Sequence, residues 1–369
     1  VAGGPRKVQV PTFEAIADRE GRILSSPAIG DIDGDGDLDL VLGTSQTAGS
    51  EFGGYGMLYA LNTDGSILPG WPQPLFAGFA GALPYIGEGV VVSPALADLD
   101  GDGDLEIAAN AIADQGAIYH HDGTVALDFV AISDAFGSES NTDEAAVLMM
   151  VANGAFADAD GDGTPDYFVG GSGIGYGGNI LSWATKFDHD HVLLGYSGRA
   201  DENGRSRPLV GFPRQMEDIQ FFTSPVAADL DGDGRSEVIA GSMFNLRAFD
   251  AEGRETAGFP LFTGGWLLGT PAIGDVDGDG MLDVVTTTRE GTLLAWRTDA
   301  PADTLVEWAM LGHDARRTGN YHTPLPGQIG PDEEPGEGCA VAAKGASGSG
   351  LALGFLLGAW LLRRRGADA

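Results

Sequence analysis

The chain has 369 residues, 43% of them apolar, with 59 glycines and a formal net charge of −34. Phosphate binding needs basic patches, and 20 Lys and Arg against 54 Asp and Glu do not supply them, so nucleic acid is excluded as a partner. A single cysteine, Cys339, excludes an internal disulfide framework, and high glycine with ordinary apolar content fits a turn-rich β protein.

Residues 1–25 read as the tail of a repeat, with a β-rich run at Val8-Gln9-Val10. Val1 is not preceded by a charged-then-apolar leader, so either a leader has been removed or the chain continues upstream. Ser26-Pro27-Ala28-Ile29 then leads into a nine-residue acidic unit, Asp31-Ile32-Asp33-Gly34-Asp35-Gly36-Asp37-Leu38-Asp39. Four further copies begin at Asp98, Asp158, Asp229 and Asp275. Acids stand at positions 1, 3, 5 and 9 of each copy and glycines at 4 and 6.

Clustered carboxylates repel one another unless a cation sits among them. Hard oxygen donors at alternating positions suit calcium, which takes six to eight oxygens at about 2.3–2.6 Å. The expected ligands are Asp31, Asp33, Asp35, Asp37 and Asp39 in the first loop, and Asp98, Asp100, Asp102, Asp104 and Glu106 in the second. The third offers Asp158, Asp160, Asp162, Thr164 and Asp166, and the fourth Asp229, Asp231, Asp233, Arg235 and Glu237. The fifth offers Asp275, Asp277, Asp279, Met281 and Asp283. Position 7 varies in kind, as expected if it binds through its backbone carbonyl. Five loops give an expectation of about five Ca²⁺.

A helix–loop–helix calcium hand needs a bidentate Glu at position 12. That position holds Leu42, Ala109, Val169, Ala240 and Thr286, and β-rich runs such as Val284-Val285-Thr286-Thr287-Thr288 follow the loops. The loops therefore read as turns between strands.

The units share two further marks. Ser93-Pro94, Ser224-Pro225 and Thr270-Pro271 repeat the Ser26-Pro27 entry, while the third unit has Ala152-Asn153-Gly154 instead. A strand of the form Leu-x-Ala followed by a turn recurs at Leu58–Gly65, Leu246–Gly253 and Leu293–Asp299, and Gly-aromatic-Pro recurs at Gly70, Gly211 and Gly258. This gives about four strands per unit and a repeat architecture in which no unit buries its apolar face alone. Gly-rich insertions at Gln46–Tyr55 and Gly170–Gly178 are expected on loops at one rim.

The five loops and their flanks, over about residues 25–321, resemble the FG-GAP/VCBS repeat family of calcium-loop β-propellers found in integrin α-chain heads and bacterial surface proteins. The resemblance implies an all-β propeller of four-stranded blades with Ca²⁺ in an inter-strand turn of each. Five blades are visible, near residues 26, 93, 154, 224 and 270. Seven would be reached if the N-terminus is incomplete. Otherwise an irregular closing blade comes from residues 1–24 and 296–321, where Trp308–Gly319 resembles segments that end such domains.

Beyond the propeller, 1–323, lies a Pro/Gly/acidic linker, 324–338, and then a tail, 339–369, with Cys339, an apolar helix-forming stretch and Arg363-Arg364-Arg365. Leu351–Leu362 would reach about 18 Å as a helix, short of the roughly 30 Å hydrocarbon layer, and extension back to Ala340 includes Lys344. The order Cys, apolar helix, Arg cluster resembles MYXO-CTERM sorting tails, which implies export, processing and lipidation at Cys339, and display on a bacterial outer surface. A plain single-span membrane anchor is the alternative.

His120-His121 and Asp188-His189-Asp190-His191 are the histidine clusters, and of these His189 and His191 read either as a transition-metal pair on one face of a strand or as part of a polar turn. The pairs Asp143-Glu144 and Glu217-Asp218 read as solvated, and Trp71, Trp183 and Trp266 as blade core. No nucleophile elbow, zinc-protease motif or phosphate loop occurs. The expectation is a non-catalytic adhesion or recognition module with a protein or glycan ligand. The alternatives are a propeller-based polysaccharide lyase or hydrolase, and a structural envelope protein.

Overall fold

A computed structural model describes residues 23, 25–48, 53–78, 89–111, 116–129, 147–149, 152–173, 191–217, 220 and 223–325. The chain divides after Leu325 into Val1–Leu325 and Pro326–Ala369. All described residues lie in the first unit, and they form strands and turns with no helix among them. The tail, with Cys339 and the expected apolar helix, lies outside the described residues, as do His189 and Trp183.

Blade I is the meander β1 (Ala28–Gly30), β2 (Asp39–Ala48), β3 (Gly53–Asn62) and β4 (Gln73–Gly78). Blade II repeats it with β5 (Ala95–Ala97), β6 (Glu106–Ala109), β7 (Ala117–Tyr119) and β8 (Val125–Phe129). Blade III contains β9 (Val147–Met149), β10 (Ala155–Ala157), β11 (Asp166–Gly173), β12 (His191–Ala200), β13 (Arg205–Pro208) and β14 (Arg214–Gln215). Parallel pairing of β13 with β8 joins blades II and III into one sheet. Blade IV is β15 (Val226–Ala228), β16 (Glu237–Ser242), β17 (Asn245–Phe249) and β18 (Leu261–Phe262). Blade V has three strands rather than the expected four, β19 (Ala272–Gly274), β20 (Met281–Thr287) and β21 (Leu293–Pro301).

The innermost strands β1, β5, β10, β15 and β19 lie side by side in chain order, which makes the array radial. Their sequences, AIG, ALA, AFA, VAA and AIG, are dominated by small residues. Strands converging on an axis leave little volume for side chains at close-packed density. Further out the space between blades widens and fills with larger groups. Tyr167, Phe168 and Val169 of β11 are all buried, since both faces of a blade are covered by its neighbours. The fold is therefore an all-β propeller.

The Ser-Pro entry mark has a structural cause. The Ser26 amide donates to Ser93 Oγ at 3.1 Å, the Ser93 amide to Asn153 Oδ1 at 2.7 Å, and the Ser224 amide to Thr270 Oγ1 at 2.8 Å. At these three junctions the next blade's entry residue offers a side-chain oxygen, and Asn153 serves as well as serine, while between blades III and IV the Asn153 amide donates to the Thr223 carbonyl at 3.1 Å instead. Blade III departs from Ser-Pro at the next position as well. A Cβ on Gly154 would lie 2.1 Å from the Tyr167 ring oxygen. The Gly-aromatic-Pro mark is an inter-blade contact in two of its three copies, because Gly70 lies flat against the backbone of Asp122 and Gly211 against that of Glu252, and Trp71 Nε1 donates to His121 O at 2.7 Å.

Three expectations are corrected. The Gly-rich stretches are not simple loops, since residues 46–48 and 53–55 extend the β2–β3 hairpin and 170–173 end β11. These ends lie at the rim opposite the acidic loops, because β2 and β11 start at those loops and run away from them. Trp71 is core, but Trp266 is half-buried with Arg289 5.2 Å over its ring. Finally, residues 296–321 form no closing blade. Residues 296–301 belong to β21, and β22 (Val306–Trp308) pairs with β15.

From Thr304 to His322 the chain instead runs along the inner strands of all five blades. Thr318 O accepts from Ile29 N in blade I at 2.7 Å, and Gly319 O from Leu96 N in blade II at 2.8 Å. Glu307 Oε1 accepts from Asp158 N in blade III at 3.1 Å, and Ala309 O from Ile273 N in blade V at 2.8 Å. Blade IV is held through the β15–β22 ladder and Leu305 O, which accepts from Asp229 N at 2.9 Å. Small inner side chains leave room for this segment, and its own large residue, Trp308, is 1% exposed.

Candidate metal centres

The five acidic loops are closed in one register. The residue before position 1 pairs with position 9 in every blade: Gly30 with Asp39, Ala97 with Glu106, Ala157 with Asp166, Ala228 with Glu237, and Gly274 with Asp283. Both loop glycines have positive φ in all five copies, from 68° at Gly34 to 95° at Gly103. Side-chain-bearing residues adopt that region at a cost, so the turn requires glycine there.

The same hydrogen bonds shape each loop. The position-1 carboxylate accepts from the position-6 amide, as Asp31 from Gly36 at 2.9 Å and Asp275 from Gly280 at 3.0 Å. Position 5 accepts from the amide of position 7, as Asp35 from Asp37 at 2.8 Å and Asp279 from Met281 at 3.0 Å. Position 9 accepts from the position-2 amide in four loops, Asp39 from Ile32, Glu106 from Leu99, Glu237 from Leu230 and Asp283 from Val276. In blade III, Asp166 accepts instead from Gly198 at 3.2 Å. Each position-9 carboxylate thus has one oxygen held by backbone and the other beyond reach of the loop amides, whereas in blades II to V both oxygens of the position-1 acid accept from loop amides, as Asp98 does from Gly101 and Gly103.

Positions 1, 3 and 9 converge. One oxygen from each of Asp31, Asp33 and Asp39 lies within 4.8 Å of the others, and the same holds for Asp158, Asp160 and Asp166 and for Asp229, Asp231 and Glu237. In blade II, Asp98, Asp100 and Asp102 converge in this way. The position-9 acids are the buried members, at 1–2% exposure for Asp39, Glu106, Asp166 and Glu237. Burial, reinforced by the neighbouring loop carboxylates, pushes Asp39 up to about 6, Glu106 and Glu237 to about 7, and Asp166 to about 8. Asp31 Oδ1, Asp33 Oδ1 and Asp166 Oδ2 are buried without a hydrogen-bond partner. Buried unpaired carboxylate oxygens are costly unless a cation compensates them. The donor set, all oxygen and anionic, fits calcium.

Side chains whose role the sequence did not reveal also reach the loop carboxylates, Arg235 among them through its guanidinium rather than its backbone carbonyl. Arg199 Nε lies 2.8 Å from Asp162 Oδ2, Arg235 Nη2 2.8 Å from Asp233 Oδ2, and Arg297 Nη1 2.9 Å from Asp279 Oδ2. In blade II, His120 Nδ1 lies 3.0 Å from Glu106 Oε1, and His121 Nδ1 lies against the Asp104 carboxylate. The blade II turn His120-His121-Asp122-Gly123 matches Asn62–Gly65 and Asp250–Gly253, and that alignment would have placed His120 beside its loop. His191 begins β12 and is half-buried. Glu217 is not simply solvated, since it accepts from Arg247 Nε at 2.8 Å and Ser242 Oγ at 2.6 Å. Glu255 pairs with the same guanidinium, so this Arg between two acids is a closed ionic cluster.

One family match agrees with the fold. Residues 31–109, which hold the first two loops, match the FG-GAP-like repeat family. No curated protein matches the chain. Among solved structures it is similar to rhamnogalacturonan lyase YesW (19% identity, TM-score 0.48, covering 83% of this chain and 54% of that one). It is also similar to the V. cholerae biofilm matrix protein Bap1 (19% identity, TM-score 0.46, 82% of this chain and 41% of that one). A third is the Bacillus licheniformis rhamnogalacturonan lyase (19% identity, TM-score 0.44, 78% and 50%). The chain spans about half the length of these structures.

Proposed function

We propose that this propeller is a calcium-dependent recognition module displayed at a bacterial cell surface, with about five Ca²⁺ in its inter-strand loops. The observation that carries the reading is the repeated convergence of positions 1, 3 and 9, with buried carboxylate oxygens that lack partners. Bound Ca²⁺ would supply the positive charge these oxygens lack.

The loop residues do the rest. Backbone amides at positions 2, 6 and 7 orient the carboxylates, and the positive-φ glycines keep the turn tight enough for positions 1 and 9 to face each other. Because position 9 lies at the start of the strand that leaves each loop and position 1 follows the strand that enters it, a filled loop fastens the two strands together. Lengthened hairpins at the opposite rim present the recognition surface, for a protein or glycan ligand. Export and anchoring fall to the tail, with Cys339 as the site of processing and lipidation. Among the described residues no helix is long and apolar enough to cross a membrane.

Calorimetry with and without chelator tests the calcium reading, and equilibrium dialysis gives the stoichiometry. About five bound Ca²⁺ and a melting temperature lowered by chelator are expected, and an unchanged melt removes the reading. A glycan and protein array with calcium tests recognition, with a reproducible calcium-dependent ligand expected. An activity screen on acidic and neutral glycans separates this function from a lyase or hydrolase.

A further inference from the structure

We infer that the blade II loop is a mixed nitrogen–oxygen site for a divalent transition-metal ion of the zinc type, held by Asp100, Glu106 and His120. One donor atom of each lies within 4.8 Å of the other two. Glu106 opens β6 and is 1% exposed, and it is fixed by the Leu99 amide at 2.8 Å through Oε2, which leaves Oε1 directed at His120. His120 Nδ1 is 3.0 Å from that oxygen. Two donors bound tetrahedrally to one zinc-like ion at about 2.0–2.2 Å lie about 3.3–3.6 Å apart, so the pair needs to part by only a few tenths of an ångström to bind one ion.

Blade II is singular in this respect. The turn that carries His120 is built alike in blades I, III and IV, with the first residue accepting from the fourth: Gly123 N to His120 O, Gly65 N to Asn62 O, Gly204 N to Asp201 O, and Gly253 N to Asp250 O, at 2.8–2.9 Å. Where blade II places an imidazole, those blades place Asn62, Asp201 and Asp250, which are oxygen donors. Calcium takes oxygen ligands, whereas imidazole suits zinc and its neighbours in the first transition row. Asp104 adds a second observation, since its Oδ1 is buried without a hydrogen-bond partner while His121 lies against its other oxygen. The blade II loop thus carries two imidazoles and one unsatisfied carboxylate oxygen beyond what a calcium turn uses.

The inference rests on the reading of the loops as ion sites, and not on calcium in particular. It is tested on the full chain, stripped of metal, saturated with calcium and titrated with Co²⁺ as a spectroscopic stand-in for zinc. The wild type is expected to take up Co²⁺ in competition with Zn²⁺, with d–d absorption and a paramagnetically shifted imidazole resonance. His120→Asn installs the residue that blade I has at this turn position, so the fold is expected to persist, checked by its calcium-loaded melt. The variant should lose the imidazole resonance and bind Co²⁺ more weakly by over about 100-fold, beyond the 10- to 100-fold that losing an outer hydrogen-bond partner costs. Equal Co²⁺ affinity in the two proteins, or no imidazole signal in the wild type, would overturn the inference. If calcium leaves the melt unchanged while the imidazole signal appears, the calcium reading falls and this one stands.

Discussion

The loops of blades I and II and those of blades III, IV and V share one backbone but balance their charge differently. Blades I and II place a fifth acid at position 7, Asp37 and Asp104, and among the described residues no arginine pairs with their position-5 acids. Blades III, IV and V lack the fifth acid and bring Arg199, Arg235 and Arg297 onto position 5. The second group is partly neutralised by its own chain, while the first has more charge to neutralise and no guanidinium to do it. Coulomb repulsion within a few ångströms therefore weighs most on blades I and II when no ion is present. The difference teaches that one loop sequence can carry two degrees of ion dependence.

The largest expected effect tests both groups at once. Chelation should lower the melting temperature by about 10 °C or more, since an ion at 100 times its Kd contributes about 2.7 kcal/mol per site and each kcal/mol is about 1.5 °C in a domain of this size. Hydrogen exchange during chelation should open β1–β2 and β5–β6 before β15–β16 and β19–β20, and simultaneous opening would erase the comparison. Next in size, Asp39→Asn should cost about 1–3 kcal/mol in saturating calcium, read by denaturant unfolding. In chelator the same variant should be no less stable than the wild type, because a buried acid that only meets other acids has gone. A loss in both conditions would make Asp39 a structural acid. The smallest effect belongs to the arginines. Arg235→Gln or Arg297→Gln should destabilise the calcium-free protein by no more than about 1 kcal/mol, as half-exposed ion pairs do, while enlarging the calcium-induced gain. An unchanged gain would show that these guanidinium groups do not offset loop charge.

The acidic loops were legible because everything that makes them is local. Nine residues hold the carboxylates, the glycines and the strand edges, so spacing alone predicts the turn. The Ser-Pro mark was legible as a repeat, but its cause is a hydrogen bond to a residue 67 positions away at Ser93, which no window on Ser26 contains. The arginines of blades III and V come from other strands, as with Arg199 on Asp162, 37 residues apart. Residues 304–322 read as the end of a domain, yet their short β-run gives no sign that it lies along inner strands rather than forming an outer blade. The contrast between Trp71 and Trp266 has the same origin, since Trp71 finds a neighbouring blade to cover it and Trp266 lies under the Arg289 guanidinium.

The seam formed by Thr304–His322 sets an order of events for biogenesis. A chain that emerges N-terminus first can build each meander as it appears, but the inner edges of β1, β5, β10, β15 and β19 stay unlatched until residue 322 has been released. Through that interval the nascent protein is an open fan with unpaired strand edges, the kind of surface that recruits stray strands. Truncation anywhere before Thr304 would make that interval permanent, and size-exclusion chromatography of such a fragment should show self-association that the full chain avoids.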